Sequence, residues 1–490
     1  MRTLLHWEGQ FTPADKAASD YVLLPFEVPP GVARLEVRYV FEGQGRPDSP
    51  NVIDMGLFDP RGADFLRAEG FRGWSGSARS EAILTPRSAT PGYLPGPLFP
   101  GRWHVILGLY RIAPQGCACR VIVEASEEEG ELPHPPPPHI GGSPSPTAPA
   151  GDGEAGWLRG DLQSHSHHSD APGSLEDLIE SARRRGLDFL AVTEHNTVSH
   201  LPYLQAWSRP DLLLIPGEEV TTYYGHMNAW GISHWLDFRC RTAEQLRAVI
   251  DAAHAMGALV SINHPKTDGP PWEYPTDLPV DAVEAWQGPW PLRNRESLAF
   301  WDRLLRAGHR VTAVGGSDKH QDRPGEGTPF YQVGHPTTWV YAAARTVPAI
   351  LAAIRSGRVV ITADVDAPWL ELTAERRDRR WMVGDEAPPG PLRIRCVVRE
   401  GKGLYLRLLS RLGEQAFLAI DRSPFEWTTE LDLRPHGYVR AELRGVRHFE
   451  EETPDDLPMV AMTNPIWGPA GWFEEEMRKR NEKAGVAVLI

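Results

Sequence analysis

Between residues 157 and 364 the chain alternates short apolar runs with amphipathic helical patterns, and this alternation constrains its fold more than any other feature. Repeated strand–helix units are typical of a parallel β-sheet covered by helices, and such a sheet can close into a barrel. The predicted strands cover 189–192, 212–215, 259–262, 282–285 and 311–314. We therefore expect an α/β domain here, with a parallel sheet closed into a barrel.

Helix boundaries in this region are marked by capping residues. Ser174 and Thr242 each stand three residues before an Asp or Gln, which is the pattern of a capping box. Thr346 is expected to begin another helix, which runs to Gly357, and a further helix is predicted over 296–307.

The segments on either side show the period-two alternation of half-buried β-strands. In the first segment Leu35, Val37 and Tyr39 alternate with polar residues, and in the last Leu404 and Leu406 do the same. Each flanking segment is expected to form a β-sandwich-like domain. The predicted division is a β-domain over 1–126, a Pro-rich linker over 127–156, the α/β barrel over 157–364, and a β-rich domain over 365–490 with a helical tail at 472–482.

Charge and cysteine content limit the classes of partner. The 490 residues carry a net charge of −14, which does not favour a nucleic-acid partner. No apolar run reaches the length needed to cross a membrane, and the first ten residues lack the apolar stretch of a secretory signal. Four scattered cysteines are too few for a disulfide framework, so a cytoplasmic location is expected; Cys117 and Cys119 fit one apolar face of a strand.

Histidines and carboxylates cluster where the predicted strands of the α/β region end. In parallel barrels these strand ends carry the catalytic groups. A group of buried imidazoles and carboxylates is costly without cations to neutralise it, and mixed nitrogen and oxygen donors suit Zn, Mn or Fe. The clusters are Gln163-Ser-His165-Ser-His167-His168-Ser-Asp170, Thr193-Glu194-His195-Asn196, Glu218-Glu219, Gly225-His226, Asn263-His264-Pro265 and Ser317-Asp318-Lys319-His320.

In order and composition these six motifs resemble the PHP (polymerase and histidinol phosphatase) family of metallohydrolases, and are most similar to its carbaryl hydrolase-like branch. The resemblance covers roughly 157–364. It implies a distorted (β/α)7 barrel that holds two or three divalent metal ions. One departure stands in the first motif, where Gly160-Asp161-Leu162 aligns Gln163 with the first family histidine and His165 with the second. An alternative register pairs His165 with His167.

The resemblance also implies how the ligands are shared among three ions. Glu219 is the expected bridge between the first two groups, with Glu218 beside it. The implied groups are His165, Glu219 and Asp318; then Glu219, His226 and His264; then Asp170, His195 and His320.

A mechanism is expected from such a centre. Two bridged metals lower the pKa of a water between them and generate a hydroxide nucleophile. Glu219 is the expected bridge, Asp318 or a nearby histidine could accept the proton, and Lys266 could offer a cation to a phosphate or carboxylate. Lys319 and Arg323 are weaker candidates of the same kind.

The motifs leave three functions open. The first is a phosphoesterase acting on a small-molecule ester, and the second is a carboxylic or carbamic ester hydrolase with the same metal centre. Aromatic residues near the motifs would favour the second if they face a substrate, although core packing is their ordinary role. These are Tyr223, Tyr224, Trp230, Trp272, Trp286 and Trp290. The third is a degenerate barrel that binds without turnover, for which Gln163 is the one hint.

Overall fold

A computed structural model of the chain describes residues 1–46, 48–135, 155–267, 269–328, 330–446 and 453–471. Most of the predicted linker and the predicted helical tail at 472–482 lie outside these ranges.

Two antiparallel sheets with a common apolar core make up the amino-terminal part. Their hydrogen-bonded orders are β1-β8-β3-β6 and β2-β7-β4-β5. The predicted alternation holds, because Leu35, Val37 and Tyr39 are buried between the sheets, as are the unpaired thiols of Cys117 and Cys119. The elements are β1 Arg2–Phe11, α1 Pro13–Ala18, β2 Tyr21–Val28, β3 Arg34–Phe41, β4 Val52–Phe58, β5 Phe71–Gly76, β6 Glu81–Leu84, β7 Gly101–Arg111 and β8 Cys117–Ser126.

Helices stand between several strands of the central part, as predicted, but β9–β10, β12–β13, β14–β15 and β16–β17–β18 follow one another without a helix among the described residues. Ser174 with Asp177 and Thr242 with Gln245 form complete capping boxes, and Thr346 caps its helix through its side chain. The elements are β9 Gly156–Asp161, β10 Ser164–His165, α2 Leu175–Arg184, β11 Phe189–His195, α3 Leu201–Trp207, β12 Leu213–Thr222, β13 Gly225–Trp230, α4 Ala243–Ala255, β14 Leu259–Ile262, β15 Ala282–Gln287, α5 Asn294–Ala307, β16 Thr312–Gly316, β17 Lys319–His320, β18 Thr337–Ala342, α6 Val347–Arg355 and β19 Val359–Thr362.

The central sheet is mixed, so the expectation of a purely parallel sheet was wrong. Strand β13 is antiparallel to both β12 and β14, and β18 is antiparallel to β9 and β19. The cause lies in the β12–β13 connection, which is a tight turn with no helix and therefore reverses the chain direction. Closure of the sheet into a barrel stays a prediction. Strands β16 and β18 contact each other through the Thr338 hydroxyl, which accepts the N–H of Gly315 at 2.9 Å and donates to its carbonyl at 2.7 Å.

The carboxy-terminal strands extend this sheet across the predicted domain boundary. Strand β19 pairs with β27, and the order continues through β26 and β23 to β24. A separate four-stranded sheet, β21-β20-β22-β25, packs on them. The elements are β20 Trp369–Arg376, β21 Arg379–Met382, β22 Pro391–Arg399, β23 Tyr405–Ser410, β24 Gly413–Ala419, β25 Phe425–Asp432, α7 Leu433–His436, β26 Tyr438–Arg444, β27 Met459–Thr463 and β28 Ile466–Trp467.

Among the described helices, none combines the length and the apolar character required of a membrane span. Three of the aromatic residues near the motifs belong to the core of the central part. Trp230, Trp286 and Trp290 pack there, and the indole N–H groups of Trp230 and Trp286 donate to backbone carbonyls. They are therefore unsuited to contact a leaving group.

Candidate metal centre

The side chains of the predicted motifs meet at one edge of the central sheet. His195 ends β11, Glu219 lies near the end of β12, and His264 follows β14 by two residues. His226 stands at the start of β13, and this start lies at the same edge because the strand runs in the opposite direction. The reversed strand thus adds a histidine to the centre.

Left-handed backbone conformations occur at three of these strand ends. Asn196, His264 and Asp318 have φ values of 55°, 27° and 51°. Such conformations are unfavourable for residues other than glycine and persist only where the surroundings hold them. The N–H of Asn196 donates to the carbonyl of Glu219 at 3.0 Å, and that of Asp318 to the carbonyl of Gln163 at 2.9 Å. These main-chain bonds hold the backbone at Asn196 and Asp318 in its left-handed conformation.

The first group consists of His165, Glu219 and Asp318. Nε2 of His165 lies 2.9 Å from Oδ1 of Asp318 and 3.3 Å from Oε2 of Glu219. Burial raises the pKa of Asp318, but the adjacent His165 outweighs it and lowers that pKa to about 2. An ionised carboxylate therefore stands beside the imidazole.

The second group shares Glu219 with the first. Its Oε1 lies 3.1 Å from Nδ1 of His226 and 3.2 Å from Nε2 of His264, and accepts a hydrogen bond from Nδ2 of Asn263 at 3.0 Å. One oxygen of Glu219 therefore faces each group, which is the arrangement a bridging carboxylate needs. Burial raises the pKa of Glu219, but the surrounding histidines outweigh it and lower that pKa well below its usual range.

Glu218 does not share this surrounding. Successive side chains of a strand point to opposite faces, so Glu218 points away from the group that holds Glu219. Its Oε2 accepts the N–H of Leu236 at 2.9 Å, and burial raises the pKa of its carboxyl well above the usual range. Glu218, which was expected beside Glu219 at the centre, therefore lies on the other face of the strand.

The third group brings together Asp170, His195 and His320, with His165 beside them. Oδ1 of Asp170 lies 3.1 Å from Nε2 of His320 and 3.7 Å from Nε2 of His195. Nδ1 of His195 is 2.7 Å from the hydroxyl of Thr221, which leaves its Nε2 facing Asp170.

Several buried polar atoms of the centre make no hydrogen bond of acceptable geometry with the described residues, although Nε2 of His165 lies within ion-pair distance of Asp318 and Glu219. They are both ring nitrogens of His165, Oε2 of Glu219 and Oδ1 of Asp318. Buried polar atoms without good hydrogen bonds are costly, and divalent cations bound to these nitrogens and oxygens would offset that cost. Each group supplies three or four ligand atoms within 4.8 Å of one another. The donor set of imidazoles and carboxylates fits Zn, Mn or Fe.

The structure distinguishes His165 from His167. The ring of His167 lies outside the three groups: its Nδ1 accepts the N–H of Leu175, and its Nε2 lies 3.2 Å from Nε2 of His134. Because Nδ1 of His167 accepts a main-chain N–H, Nε2 carries the proton of the neutral ring. A protonated Nε2 has no lone pair for a metal ion, so His167 is a poor ligand. The register with Gln163 aligned to the first family histidine therefore fits the geometry.

Gln163 is completely buried, and its two amide atoms have no hydrogen-bond partner within the described part of the chain. Its backbone N–H donates to Asp161, and its carbonyl accepts from Asp318. Gly316 packs closely against the side chain of Gln163. A Cβ added to Gly316 would lie 2.7 Å from Cβ of Gln163 and 2.5 Å from Oε1 of Glu284. The backbone of Gln163 thus contacts the first group through Asp318, while its buried amide has no hydrogen-bond partner within the described residues.

Replacing Gln163 by histidine should strengthen metal retention. An imidazole nitrogen is a better ligand for Zn, Mn or Fe than an amide oxygen, so Gln163→His should hold the ion of the first group about 10-fold or more tightly against a chelator. The matched control is Gln163→Leu, which removes the polar atoms at similar volume and should bring no gain. Equal retention in Gln163→His and the unaltered protein would show that this side chain does not face the ion.

Lys266 lies in a different setting from the one expected. Its ammonium is buried and donates to Oε1 of Gln287 and to the carbonyl of Leu292, both at 2.5 Å. Nε2 of Gln287 in turn donates to Oδ2 of Asp318 at 2.7 Å. These contacts connect Lys266 to the first group through Gln287, and its direct contact with a substrate stays a prediction. The role of Gln287 was missed, although its position at the end of β15 follows the strand-end rule.

The two weaker cationic candidates also lie apart from the groups. The ammonium of Lys319 is bonded to Asp322 and lies over the ring of Tyr331 at 5.0 Å. Arg323 is exposed.

The sequence did not predict the role of Glu194, a carboxylate close to the centre. Glu194 accepts the N–H of Ser166 at 3.0 Å and so holds the loop that follows β10.

The sequence matches no family model and no curated protein. Among solved structures it is similar to a two-domain protein from Bacteroides vulgatus ATCC 8482 that contains a predicted PHP-like metal-dependent phosphoesterase. The two chains are 18% identical with a TM-score of 0.36, and the match covers 67% of this chain and 100% of the other. At that TM-score the likeness supports no conclusion about this chain, and the chemistry of the centre rests on its own residues.

Proposed function

We propose that the protein is a metal-dependent hydrolase of the PHP type, in the carbaryl hydrolase-like branch, and that it cleaves a phosphoester. The observation that carries this proposal is the position of Glu219, whose two oxygens face two different groups of ligand atoms. A carboxylate shared in this way is suited to hold two cations close together.

The residues of the centre would hold the ions in three overlapping groups. Divalent cations bound there would supply Lewis acidity, which acidifies water and stabilises negative charge developing on the substrate. Glu219 would bridge two of the groups, while His195, His320 and Asp170 hold the third.

Asp318 is the residue best placed to accept a proton. Its Oδ2 is held by Nε2 of Gln287 at 2.7 Å, which fixes the carboxylate plane, while Oδ1 faces Nε2 of His165 at 2.9 Å without a hydrogen bond of good geometry among the described residues. A general base must have a free lone pair within reach of the proton it takes. The buried ammonium of Lys266 keeps Gln287 oriented and so acts on Asp318 indirectly.

A carboxylic or carbamic ester hydrolase is the second candidate. The ammonium groups of Lys266 and Lys319 both bond protein acceptors, so neither side chain projects openly toward a phosphate. A neutral ester needs no such cation, and the metal ions would serve either substrate.

Elemental analysis of the purified protein, paired with turnover of an aryl phosphate and an aryl ester, tests the proposal. We expect two or three transition-metal ions per chain and faster turnover of the phosphate. His264→Ala should lose metal and activity, because Nε2 of His264 faces Glu219 at 3.2 Å. The matched control is His254→Ala, since His254 pairs with Asp281 outside the centre.

Three outcomes separate the alternatives. Preference for the aryl ester would favour the carboxylic or carbamic ester hydrolase. Bound metal without turnover on a broad panel of esters would favour a binding module. Absence of bound metal after reconstitution with Zn, Mn and Fe would overturn the proposal.

A further inference from the structure

The amino-terminal β-sandwich contacts the loop that carries Asp170. Arg79, in the connection between β5 and β6, donates from Nη1 to the carbonyl of Ser169 at 2.8 Å and from Nη2 to the carbonyl of His167. The Ser169 carbonyl belongs to the peptide unit that joins Ser169 to Asp170. A planar guanidinium that bonds two carbonyls of one loop restrains the orientation of both peptide planes.

The side chain of Asp170 has little else to hold it. It is 41% exposed, and its neighbours within ion-pair distance are His195 and His320, which belong to the same group. The hydroxyl of Ser169 reaches its Oδ1 at a long 3.4 Å. The position of this carboxylate therefore depends on the loop backbone, which Arg79 holds together with the carbonyl of Ser166 and the carboxylate of Glu194.

The same β-sandwich also holds the second loop of this group. The N–H of Gly92 donates to the hydroxyl of Ser199 at 3.0 Å, and the hydroxyl of Thr197 donates to the carbonyl of Gly92 at 2.7 Å. Thr197 and Ser199 follow His195, the ligand candidate at the end of β11. The two loops that bring Asp170 and His195 together are thus both attached to the sandwich.

The other two groups are built differently. Their members, His165, Glu219, His226, His264 and Asp318, lie on or next to strands β10, β12, β13, β14 and β17 of the central part. Their short contacts are with one another and with neighbours such as Asn263 and Gln287.

We infer that Arg79 is a positioning residue for the third metal ion, and that the amino-terminal β-sandwich is thereby a working part of the metal centre. This inference rests on the proposed function, because it requires that Asp170, His195 and His320 bind a metal ion. Burial lowers the pKa of Arg79, and the nearby carboxylates of Glu194 and Asp170 oppose this shift by attracting its charge.

Metal titration of Arg79→Ala tests the inference, with affinities for Zn and Mn measured by chelator competition. One ion should bind about 10- to 100-fold more weakly, as is usual when a partner that orients a ligand is lost, and the other two should keep their affinities. Arg79→Lys should fall between, because an ammonium reaches fewer carbonyls than a fork of two nitrogens. The matched control is Arg87→Ala, which removes an exposed arginine of the same sandwich that pairs with Glu129.

A double-mutant cycle with Asp170→Asn distinguishes positioning from general damage to the fold. If Arg79 acts through Asp170, then Arg79→Ala should weaken the third ion no further once Asp170→Asn is present. The melting temperature of the metal-free protein provides a second readout: a purely structural role would lower it and leave all three affinities unchanged.

Three results would overturn the inference. They are unchanged affinities in Arg79→Ala, an equal loss over all three ions, and an additive loss in the double mutant. In each of these the unaltered protein still binds metal, so the proposed function stands. If the unaltered protein binds no metal, the proposed function fails and the inference fails with it.

Discussion

Glu219→Gln is expected to abolish the bound pair of metal ions and to cost more activity than any other single substitution in the chain. Both oxygens of Glu219 are buried and face imidazoles, with His165 and His195 near Oε2 and His226 and His264 near Oε1. An amide retains one weaker oxygen ligand and places an NH2 group where the second ligand stood. The loss should exceed the roughly 100-fold that removal of a partner outside the ligand set costs. Metal content and turnover of the preferred ester measure it.

The neighbouring residue supplies the matched control. Glu218→Gln changes the same kind of side chain on the same strand, but this side chain points to the other face and bonds Leu236. Its amide oxygen can still accept that N–H, so metal content and turnover should change little. Retention of both ions in Glu219→Gln would contradict the assignment of Glu219 as the bridge.

Removal of the metal ions is expected to destabilise the protein strongly and reversibly. Without cations, the buried imidazole of His165 and the carboxylates of Glu219 and Asp318 face one another without well-formed hydrogen bonds. A ligand present at 100 times its Kd stabilises the folded state by about 2.7 kcal/mol. For a domain of the size of the central part, each such site should raise the melting temperature by roughly 5 to 10 °C. Thermal melts after chelation and after metal is restored measure the change.

Two comparisons keep this prediction testable. Restored metal should raise the melting temperature of Glu219→Gln much less than that of the unaltered protein, because the shared ligand is gone. Activity should return together with stability when Zn, Mn or Fe is added back. Equal melting temperatures with and without metal would mean that the three groups are stable without ions, which contradicts their assignment as metal sites.

Much of the central part could be predicted from local patterns. The caps at Ser174 and Thr242 depend on residues three positions away, so the helix starts followed from sequence alone. Strand pairing depends on partners far along the chain. The sequence therefore gave no sign that β13 reverses between β12 and β14, or that β19 pairs with β27.

The candidate site shows the same division. All eight residues assigned as ligands from the motifs lie in the three groups, because seven of them stand on or next to strands that meet at one edge of the sheet and Asp170 lies in the loop that follows β10. Successive side chains of β12 point to opposite faces, so Glu218 and Glu219 lie on different sides of the sheet. This difference could be predicted from strand geometry alone. The contacts of Lys266 with Gln287 and Leu292 required the folded chain.

By itself, the sequence indicated the mixed strand and helix character of the central part and the capped helix starts, since these follow from periodicity and residue chemistry over a few positions. The candidate metal ligands came from the resemblance of the motifs to a known family. Only the tertiary structure decided which oxygen of Glu219 faces which histidines, that His165 joins the centre while His167 bonds Leu175, and that Arg79 reaches the loop of Asp170. Those contacts join segments up to about 90 residues apart, so they depend on how the sheets pack and not on any local pattern.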